Sequence, residues 1–303
     1  MKNDIVLNQV LILFIIMAIG FYARRKKILN DELTQGLSEL LLAVTMPLLT
    51  LTSFNLKFSP EMLINAGLIL ICSILAHTAT FFLGRALYAK YPEKIRAVLH
   101  FSAIFTNCGF MGYPLLESLF GKTGIFYGSM YVAVFNFFLW TIGIRIFTGK
   151  NDPGSFRKAL ANPGLIAVFL GIILFIFSVK LPFPVYRAMD LAGSTTTPIA
   201  MLVIGSTLAD SDFSKLFTNI PIFYGALARL ILIPAVALLI LKLTGLDELL
   251  IKIFVIIIAM PVAANSAIFS KKFEGDALFA SQLVLVSTLL SIVTIPLMVF
   301  LLR

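Results

Sequence analysis

Two interrupted apolar segments limit the fold of this chain more than any other sequence feature. The first interruption is residues 106–114 (TNCGFMGYP), inside an apolar segment over 95–118. The second is residues 260–266 (MPVAANS), inside an apolar segment over 249–271. Proline removes a helical hydrogen bond and its ring excludes a carbonyl from the preceding turn. In hydrocarbon, broken backbone persists only where protein or a wet cavity satisfies it, so the pair predicts two discontinuous helices beside a polar site.

The composition indicates an integral membrane protein with only α-helices. Of 303 residues, 59% are hydrophobic and 13% are charged, whereas a soluble domain is nearer half apolar and a quarter charged. The net charge of +9 lies in short loops between apolar runs, which argues against a nucleic-acid partner and for the lipid bilayer. Ten segments are long enough to span: 4–22, 33–55, 63–84, 95–118, 123–147, 163–181, 188–209, 219–242, 249–271 and 277–301.

Lysine and arginine are distributed unequally between the two sides of these ten segments. Fifteen lie in loops on one side and eight on the other, and Arg229 lies within a span. By the positive-inside rule the first side is cytoplasmic. The chain is therefore expected to be a multi-pass protein of the plasma (inner) membrane with both termini outside the cytoplasm.

Weak internal similarity divides the ten segments into two groups of five. Residues 45–47 (TMP) parallel 197–198 (TP), and residues 75–77 (LAH) parallel 227–229 (LAR). The loops after segments 4 and 9 match in the same way, at an offset of about 151–154 residues throughout. An odd number of spans inverts the second copy, so we predict inverted repeats over 1–150 and 151–303.

The two interruptions are the predicted binding site. Half-helix N-termini carry partial positive charge and attract anions, and neighbouring side chains add hydrogen bonds. The alternative is a pair of proline kinks packed against neighbouring helices. The residues predicted to bind substrate are Thr106, Asn107, Gly109, Gly112, Tyr113, Pro114, Pro261, Asn265 and Ser266, together with Arg229.

Arg229 is the most informative single residue, because an arginine inside a span is costly and suggests a functional site by default. Its planar guanidinium suits a carboxylate of the substrate or of the protein. Glu39, Asp190 and Asp210 are the candidate protein partners. A carbonyl clamp that holds helices together is the structural alternative.

A second group of polar residues lies within other spans. His77, at the place in segment 3 that matches Arg229, is either a proton-coupling group or a neutral helix contact. Ser287 and Ser291 share one helix face with Thr288 alongside, and Asn136 lies in segment 5. These residues either bond neighbouring helices or line a polar pocket: His77, Asn136, Ser287, Thr288 and Ser291.

Signatures of enzymes, metal sites and cofactor sites are absent from the sequence. It contains no H-E-x-x-H, no G-x-x-x-x-G-K and no intramembrane aspartate pair. The two cysteines, Cys72 and Cys108, have no C-x-x-C or Cys/His spacing. We therefore expect no catalytic residue, no resident metal and no cofactor.

The interruptions resemble the auxin efflux carrier family, which includes the plant PIN-formed proteins and bacterial permeases. Residues 107–114 (NCGFMGYP) look like the family's N-x-G-F-x-G-x-P block. Further matching blocks are 161–163 (ANP), 229–234 (RLILIP), 260–265 (MPVAAN), and 287–291 (STLLS) leading to 295–296 (IP). The resemblance covers the whole chain. The long cytoplasmic loop of many plant members is missing, so the chain has the compact, prokaryote-like form.

This resemblance implies the PIN-like fold of bile-acid symporters, with broken helices 4 and 9 crossing at the site. It implies a homodimer whose scaffold is spans 1, 2, 6 and 7 and whose mobile transport part is spans 3–5 and 8–10. It also implies that an organic anion moves by an elevator-like motion. Malate- or malonate-type carboxylates are the expected substrates by analogy, ahead of auxin-like weak acids.

Two other functions are compatible with the sequence. A sodium-coupled symporter of the bile-acid-carrier type would use unwound carbonyls with Asn265, Ser266 and Ser287 as sodium ligands, although neither interruption contains an acidic residue. The coupling ion would then be Na⁺ rather than H⁺. A non-transporting sensor or channel is less consistent with the sequence, since neither a signalling domain nor a repeated pore-lining pattern is visible.

Overall fold

The computed structural model describes residues 2–150, 154–209 and 219–302, and these residues are almost entirely helical. An isolated antiparallel bridge between Thr106 and Val262 is the one strand-like pairing among them. The α-helices are α1 Lys2–Arg25, α2 Asp31–Leu40, α3 Met46–Ser53, α4 Pro60–Leu87, α5 Glu93–Ile104, α6 Tyr113–Phe138, α7 Ile144–Thr148, α8 Ser155–Leu160, α9 Pro163–Ile176, α10 Phe183–Ser194, α11 Thr196–Ala209, α12 Ile220–Leu227, α13 Ile233–Lys242, α14 Glu248–Ile258, α15 Asn265–Lys272 and α16 Ala277–Leu301.

Within the described ranges, four π-helical turns interrupt the α-helical geometry. Three of them end two residues before a proline, at Pro47, Pro114 and Pro234. A proline ring clashes with the carbonyl four residues earlier, and a widened turn separates the two groups. The four turns are Leu41–Thr45, Cys108–Gly112, Leu139–Gly143 and Ala228–Leu232.

The prediction of an all-α membrane protein is confirmed. Within the described ranges, seven helical runs are long and apolar enough to cross a membrane. The exact count of ten spans in two inverted repeats stays a prediction. The difference arises because segments 95–118 and 249–271 are divided at their interruptions, and because α9 has only 14 residues.

One compact unit consists of Met1–Ile71, Gly109–Asn136 and Leu160–Asp210. Its helices α1 and α11 pack at backbone distance, since a Cβ added at Gly205 would lie 1.9 Å from the Met17 carbonyl oxygen. A Cβ at Gly20 would lie 2.4 Å from the carbonyl oxygen of Leu202. Small residues of this kind allow close packing between membrane helices.

Ion pairs link α6 and α10 within the same unit. The Lys122 ammonium donates to an Asp190 carboxylate oxygen at 2.7 Å and to the Tyr186 hydroxyl. Arg187 donates to the other Asp190 oxygen at 3.0 Å. Gly121, at φ 58° and ψ −146°, breaks α6 immediately before Lys122.

The second compact unit consists of Cys72–Cys108, Phe137–Ala159 and Ser211–Arg303. Its core includes an aromatic cluster around Phe101, whose ring centroid lies 4.4 Å from that of Phe105 and 5.4 Å from that of Phe269. This unit contains α5, α14, α15 and α16, and therefore both of the helices that end at an interruption. The division into repeats and the division into scaffold and transport parts remain predictions.

Candidate functional site

The two interrupted segments are hydrogen-bonded to each other. Helix α5 ends at Ile104, and Phe105 is extended with φ −99° and ψ 113°. The Asn107 amide donates to the Pro261 carbonyl at 2.8 Å, and the Ala263 amide donates to the Phe105 carbonyl at 3.1 Å. These bonds flank the antiparallel bridge between Thr106 and Val262. Residues 105–107 and 261–263, here called the crossing, thus satisfy two backbone amides and two backbone carbonyls between them.

The irregular backbone of the first segment lies earlier than the sequence predicted. It covers residues 105–107, whereas Gly109 and Gly112 lie in the π-helical turn Cys108–Gly112 that leads into α6. The widened turn accommodates the Pro114 ring, so the glycines and the proline do not end the helix themselves. In the second segment, α14 ends at Ile258 and α15 begins at Asn265, as the position of Pro261 predicts.

The guanidinium of Arg229 binds the carbonyl ends of both helices that stop at the crossing. Its Nη1 donates to the carbonyl of Ala103 in α5 at 3.0 Å. Its Nη2 donates to the carbonyl of Ile258 in α14, and its Nε donates to the Met260 carbonyl at 3.3 Å. The last carbonyls of a helix lack intrahelical partners and carry partial negative charge. Arg229, which is 1% exposed, supplies both the hydrogen bonds and the compensating charge.

Together these three contacts form the carbonyl clamp that the sequence left open as the structural alternative. Among the carboxylates considered as partners, Glu39 accepts from Gln35 at 2.9 Å and Asp190 accepts from Lys122 and Arg187. Asp210 lies outside the described residues. Arg229 itself lies in the π-helical turn Ala228–Leu232, a type of turn that is common at functional sites.

Ser287 connects α16 to the crossing. The Val262 amide donates to Ser287 Oγ at 3.2 Å, and Ser287 Oγ donates to the Val284 carbonyl at 3.1 Å. Ser291, one turn further along, donates to the carbonyl of Thr288 at 2.6 Å. Ser287 is therefore part of the crossing, whereas Ser291 bonds the backbone of its own helix.

Several polar atoms at and near the crossing have no hydrogen-bond partner among the described residues. They include Thr106 Oγ1, Ser266 Oγ and Thr288 Oγ1, all buried. The side-chain amides of Asn107, 6% exposed, and Asn265 also make no bond within the described part of the chain. Buried polar groups are ordinarily hydrogen-bonded, so a set of orphaned groups around one backbone feature indicates a place for a polar ligand.

The first turn of α15 adds hydrogen-bond donors to the same region. It begins at Asn265, and no side chain caps it. The Ser266 amide donates to the Ala263 carbonyl at 2.9 Å. A helix N-terminus carries partial positive charge and favours an anion. Arg229 binds the carbonyl ends of α5 and α14. The polar groups that remain at the crossing are therefore mainly hydrogen-bond donors, which favour an anion.

Five of the predicted site residues belong to the first compact unit, which does not contain the crossing. Tyr113 is buried there, and its hydroxyl accepts from Thr50 Oγ1 at 3.3 Å. A Cβ added at Gly109 would lie 2.7 Å from Met46 Cε. The five residues are Gly109, Gly112, Tyr113, Pro114 and Asn136. The second unit holds the remaining ones: Thr106, Asn107, Arg229, Pro261, Asn265, Ser266, His77, Ser287, Thr288 and Ser291.

His77 is a buried helix contact. Its Nδ1 donates to the Ser73 carbonyl at 2.8 Å, which fixes the proton on that nitrogen. Its ring centroid lies 5.1 Å from that of Phe138 and 6.3 Å from that of Phe105. Phe105 is the first residue of the crossing, so His77 packs beside it.

The sequence did not identify the carbonyls of Ala103, Ile258 and Met260 as part of the site. Every residue carries a backbone carbonyl, so no side chain signals which of them a guanidinium will bind. The one available signal was Arg229 itself, whose charge requires partners at membrane depth. The structure supplies their positions.

Apolar helices of spanning length, two of them interrupted and joined at a polar site, define an integral membrane transporter. The chain belongs to the membrane transport protein family, whose family model matches residues 5–299. This is the auxin efflux carrier family, so the resemblance stated from the sequence motifs is confirmed.

Proteins of similar sequence carry the names of transporters. An uncharacterized transporter of Methanocaldococcus jannaschii is 24% identical, over 96% of this chain and 97% of its own. An uncharacterized transporter of Escherichia coli is 23% identical, over 98% of each chain. A Rhizobium meliloti protein named "Putative malonate transporter" is 25% identical, over 67% of this chain and 66% of its own. The family and these relatives are transporters and not enzymes, as the sequence predicted.

Proposed function

We propose that this transporter is a secondary carrier of small organic anions, such as malate, malonate or auxin-like weak acids, that binds them at the crossing. The observation that carries the proposal is the position of Arg229. It binds the carbonyl ends of α5 and α14 and so neutralises the negative helix ends at the crossing. The groups left for a ligand are then donors: side-chain amides, hydroxyls and the first turn of α15.

A small carboxylate matches this set of groups. Asn107, Asn265 and Ser266 offer hydrogen-bond donors, and neither interruption contains an aspartate or glutamate that would repel an anion. Hydrogen bonds to an ionised acceptor are about twice as strong as neutral ones. The malonate named for the Rhizobium meliloti relative belongs to the same chemical class.

The proposed mechanism is an elevator movement of the transport part, spans 3–5 and 8–10, against a dimeric scaffold of spans 1, 2, 6 and 7. The compact unit that contains the crossing supports it, since Arg229, α14, α15 and α16 belong to that unit. The site would then travel without changing its internal contacts. The unequal distribution of positive charge supports a plasma-membrane location with both termini outside.

Sodium-coupled symport is the second candidate. Sodium binds oxygen ligands, and the buried hydroxyls of Thr106, Ser266 and Thr288 have no hydrogen-bond partner among the described residues. In this version the hydroxyls hold the ion while the amides hold the carboxylate. Uptake that does not depend on sodium rejects this candidate and leaves the uncoupled or proton-coupled carrier.

Counterflow in proteoliposomes tests the proposal. Vesicles loaded with unlabelled malonate or malate should accumulate the labelled anion transiently, because a carrier exchanges solute through one alternating site. A channel or a sensor gives no such accumulation. The measurement is made with and without sodium and at two pH values, to separate the two coupling ions.

A substitution that adds a negative charge at Asn107 tests whether the anion binds at the crossing. Asn107→Asp places a negative charge among the donors and should abolish anion counterflow. Asn162→Asp is the matched control, because Asn162 Oδ1 caps α9 by accepting from Gly164 and Leu165 amides, and aspartate is an equally good cap. Equal activity in the two variants would remove the crossing as the anion site.

A further inference from the structure

The second compact unit contains a basic cavity that the proposed transport function does not use. Its volume is about 490 Å³, and Arg85, Arg96, Arg145 and His100 supply its polar lining. Phe81 and Ile146 contribute apolar surface. This cavity lies at the end of α4, near the start of α5 and beside α7, which the distribution of positive loops predicts to be the cytoplasmic end.

The three arginines of this cavity, like many basic residues of the chain, take part in no ion pair within its described part, and what sets them apart is that they line one cavity. Arg24 pairs with Asp31, Lys122 and Arg187 with Asp190, and Lys252 with Glu248. Arg85, Arg96 and Arg145 make no ion pair with any described residue, and no carboxylate is among the described residues that line their cavity. They approach from α4, α5 and α7, so residues far apart in sequence converge on one concave volume.

The positive-inside rule explains why arginines lie at this end of the helices. It does not explain why three of them line one cavity. Three like charges around one volume repel each other, and an anion between them removes the repulsion. His100 is held in place by donating from Nε2 to the Phe81 carbonyl at 2.8 Å. Its Nδ1 faces away from that bond, and in the neutral ring it is an acceptor.

The geometry points to a phosphate-binding site at this cavity, separate from the crossing. A phosphate group offers several charged oxygens, and planar guanidinium groups bind such oxygens bidentately. The volume lies in the range of small-ligand pockets, roughly 300–1,000 Å³. The phosphate belongs either to the headgroup of an anionic lipid, whose glycerol would lie against Phe81 and Ile146, or to a soluble phosphate compound. Basic pockets between membrane helices on this side are known to take lipid headgroups.

Binding to purified protein at constant ionic strength tests the site. One arm measures the shift in thermal unfolding caused by phosphatidylglycerol added to phosphatidylcholine micelles. The other arm uses inorganic phosphate alone. Arg96→Gln and Arg145→Gln should each raise the Kd for the effective probe by about tenfold or more. Arg145→Lys keeps the charge and loses the bidentate contact, so it should fall between wild type and Arg145→Gln.

The control is Arg157→Gln, which removes the same charge from an exposed position of α8 that does not line the cavity. A response to phosphatidylglycerol alone, to phosphate alone or to both supports the site and identifies the source of the phosphate. No response in either arm overturns it, as does an equal loss in Arg157→Gln. Displacement of the probe by malonate at similar concentrations also overturns it, because the cavity would then be a carboxylate entrance.

Discussion

The backbone amide of Asn107 donates to the carbonyl of Pro261 at 2.8 Å. Each of these residues lies where a helix has ended inside an apolar segment, and a free amide or carbonyl there costs several kcal/mol. Each interruption therefore provides hydrogen-bond partners for one backbone amide and one backbone carbonyl of the other. This mutual dependence is the reason that two breaks, rather than one, are compatible with the membrane.

Arg229→Ala should lower stability even without substrate, because it leaves three buried carbonyls without donors. We expect a loss of about 3 kcal/mol or more, with Arg229→Lys intermediate since an ammonium cannot reach all three. Thermal unfolding can be followed by a thiol-reactive dye in a Cys72→Ala background, since Cys108 is buried in the folded protein whereas Cys72 is partly exposed. Arg187→Ala is the control, because its ion pair is half exposed. Unchanged stability in Arg229→Ala, with uptake lost, would instead make Arg229 a direct substrate contact.

Ser266→Ala should weaken anion binding without loss of stability. The hydroxyl is buried and has no partner among the described residues, so its removal costs no internal hydrogen bond. Ser270 is the matched control: it lies one turn further along α15 and its buried hydroxyl is likewise unpartnered in the described part of the chain. We expect a several-fold higher KM in counterflow for Ser266→Ala and an unchanged KM for Ser270→Ala. An equal effect of both substitutions would contradict the placement of the ligand at the crossing.

Ser287→Ala should destabilise the crossing locally. It removes the acceptor of the Val262 amide, at a cost of about 1–3 kcal/mol for a buried unsatisfied donor. Hydrogen exchange should accelerate at residues 261–263. Ser291→Ala removes only a bond to its own helix and should leave exchange at those residues as in wild type. Equal exchange in the two variants would show that Ser287 does not support the crossing.

Gly205→Ala should disrupt the packing of α1 against α11. The added Cβ would meet the Met17 backbone at 1.9 Å, and overpacking costs about 1–3 kcal/mol or more. Gly67→Ala, in the interior of α4, meets nothing within 4 Å and should be neutral or stabilising by up to about 1 kcal/mol. Thermal unfolding of the two variants checks the contrast. A Gly205→Ala protein as stable as wild type would show that the two helices can separate.

The sequence was sufficient to identify the interrupted segments, and the family resemblance implied that they meet at one site. Proline, asparagine and a buried arginine are rare enough in apolar helices that each one is informative. The exact break at residues 105–107 could not be predicted, because Phe105 resembles any other apolar helix residue. The π-helical turns were also missed, since they depend on how each helix accommodates Pro47, Pro114 or Pro234. The cavity lined by Arg85, Arg96 and Arg145 was not predicted, because each arginine read singly is an ordinary cytoplasmic charge.

The pairing of residues 105–107 with 261–263 joins two parts of the chain that are distant in sequence, so that they should move together. Separating α5 from α14 would expose both sets of backbone groups to hydrocarbon at once, so neither helix can shift without carrying the other. The covalent connection between the halves is then dispensable for their association. Two polypeptides divided between α7 and α8 should assemble into a complex that copurifies, and the Asn107–Pro261 bond would be part of its interface.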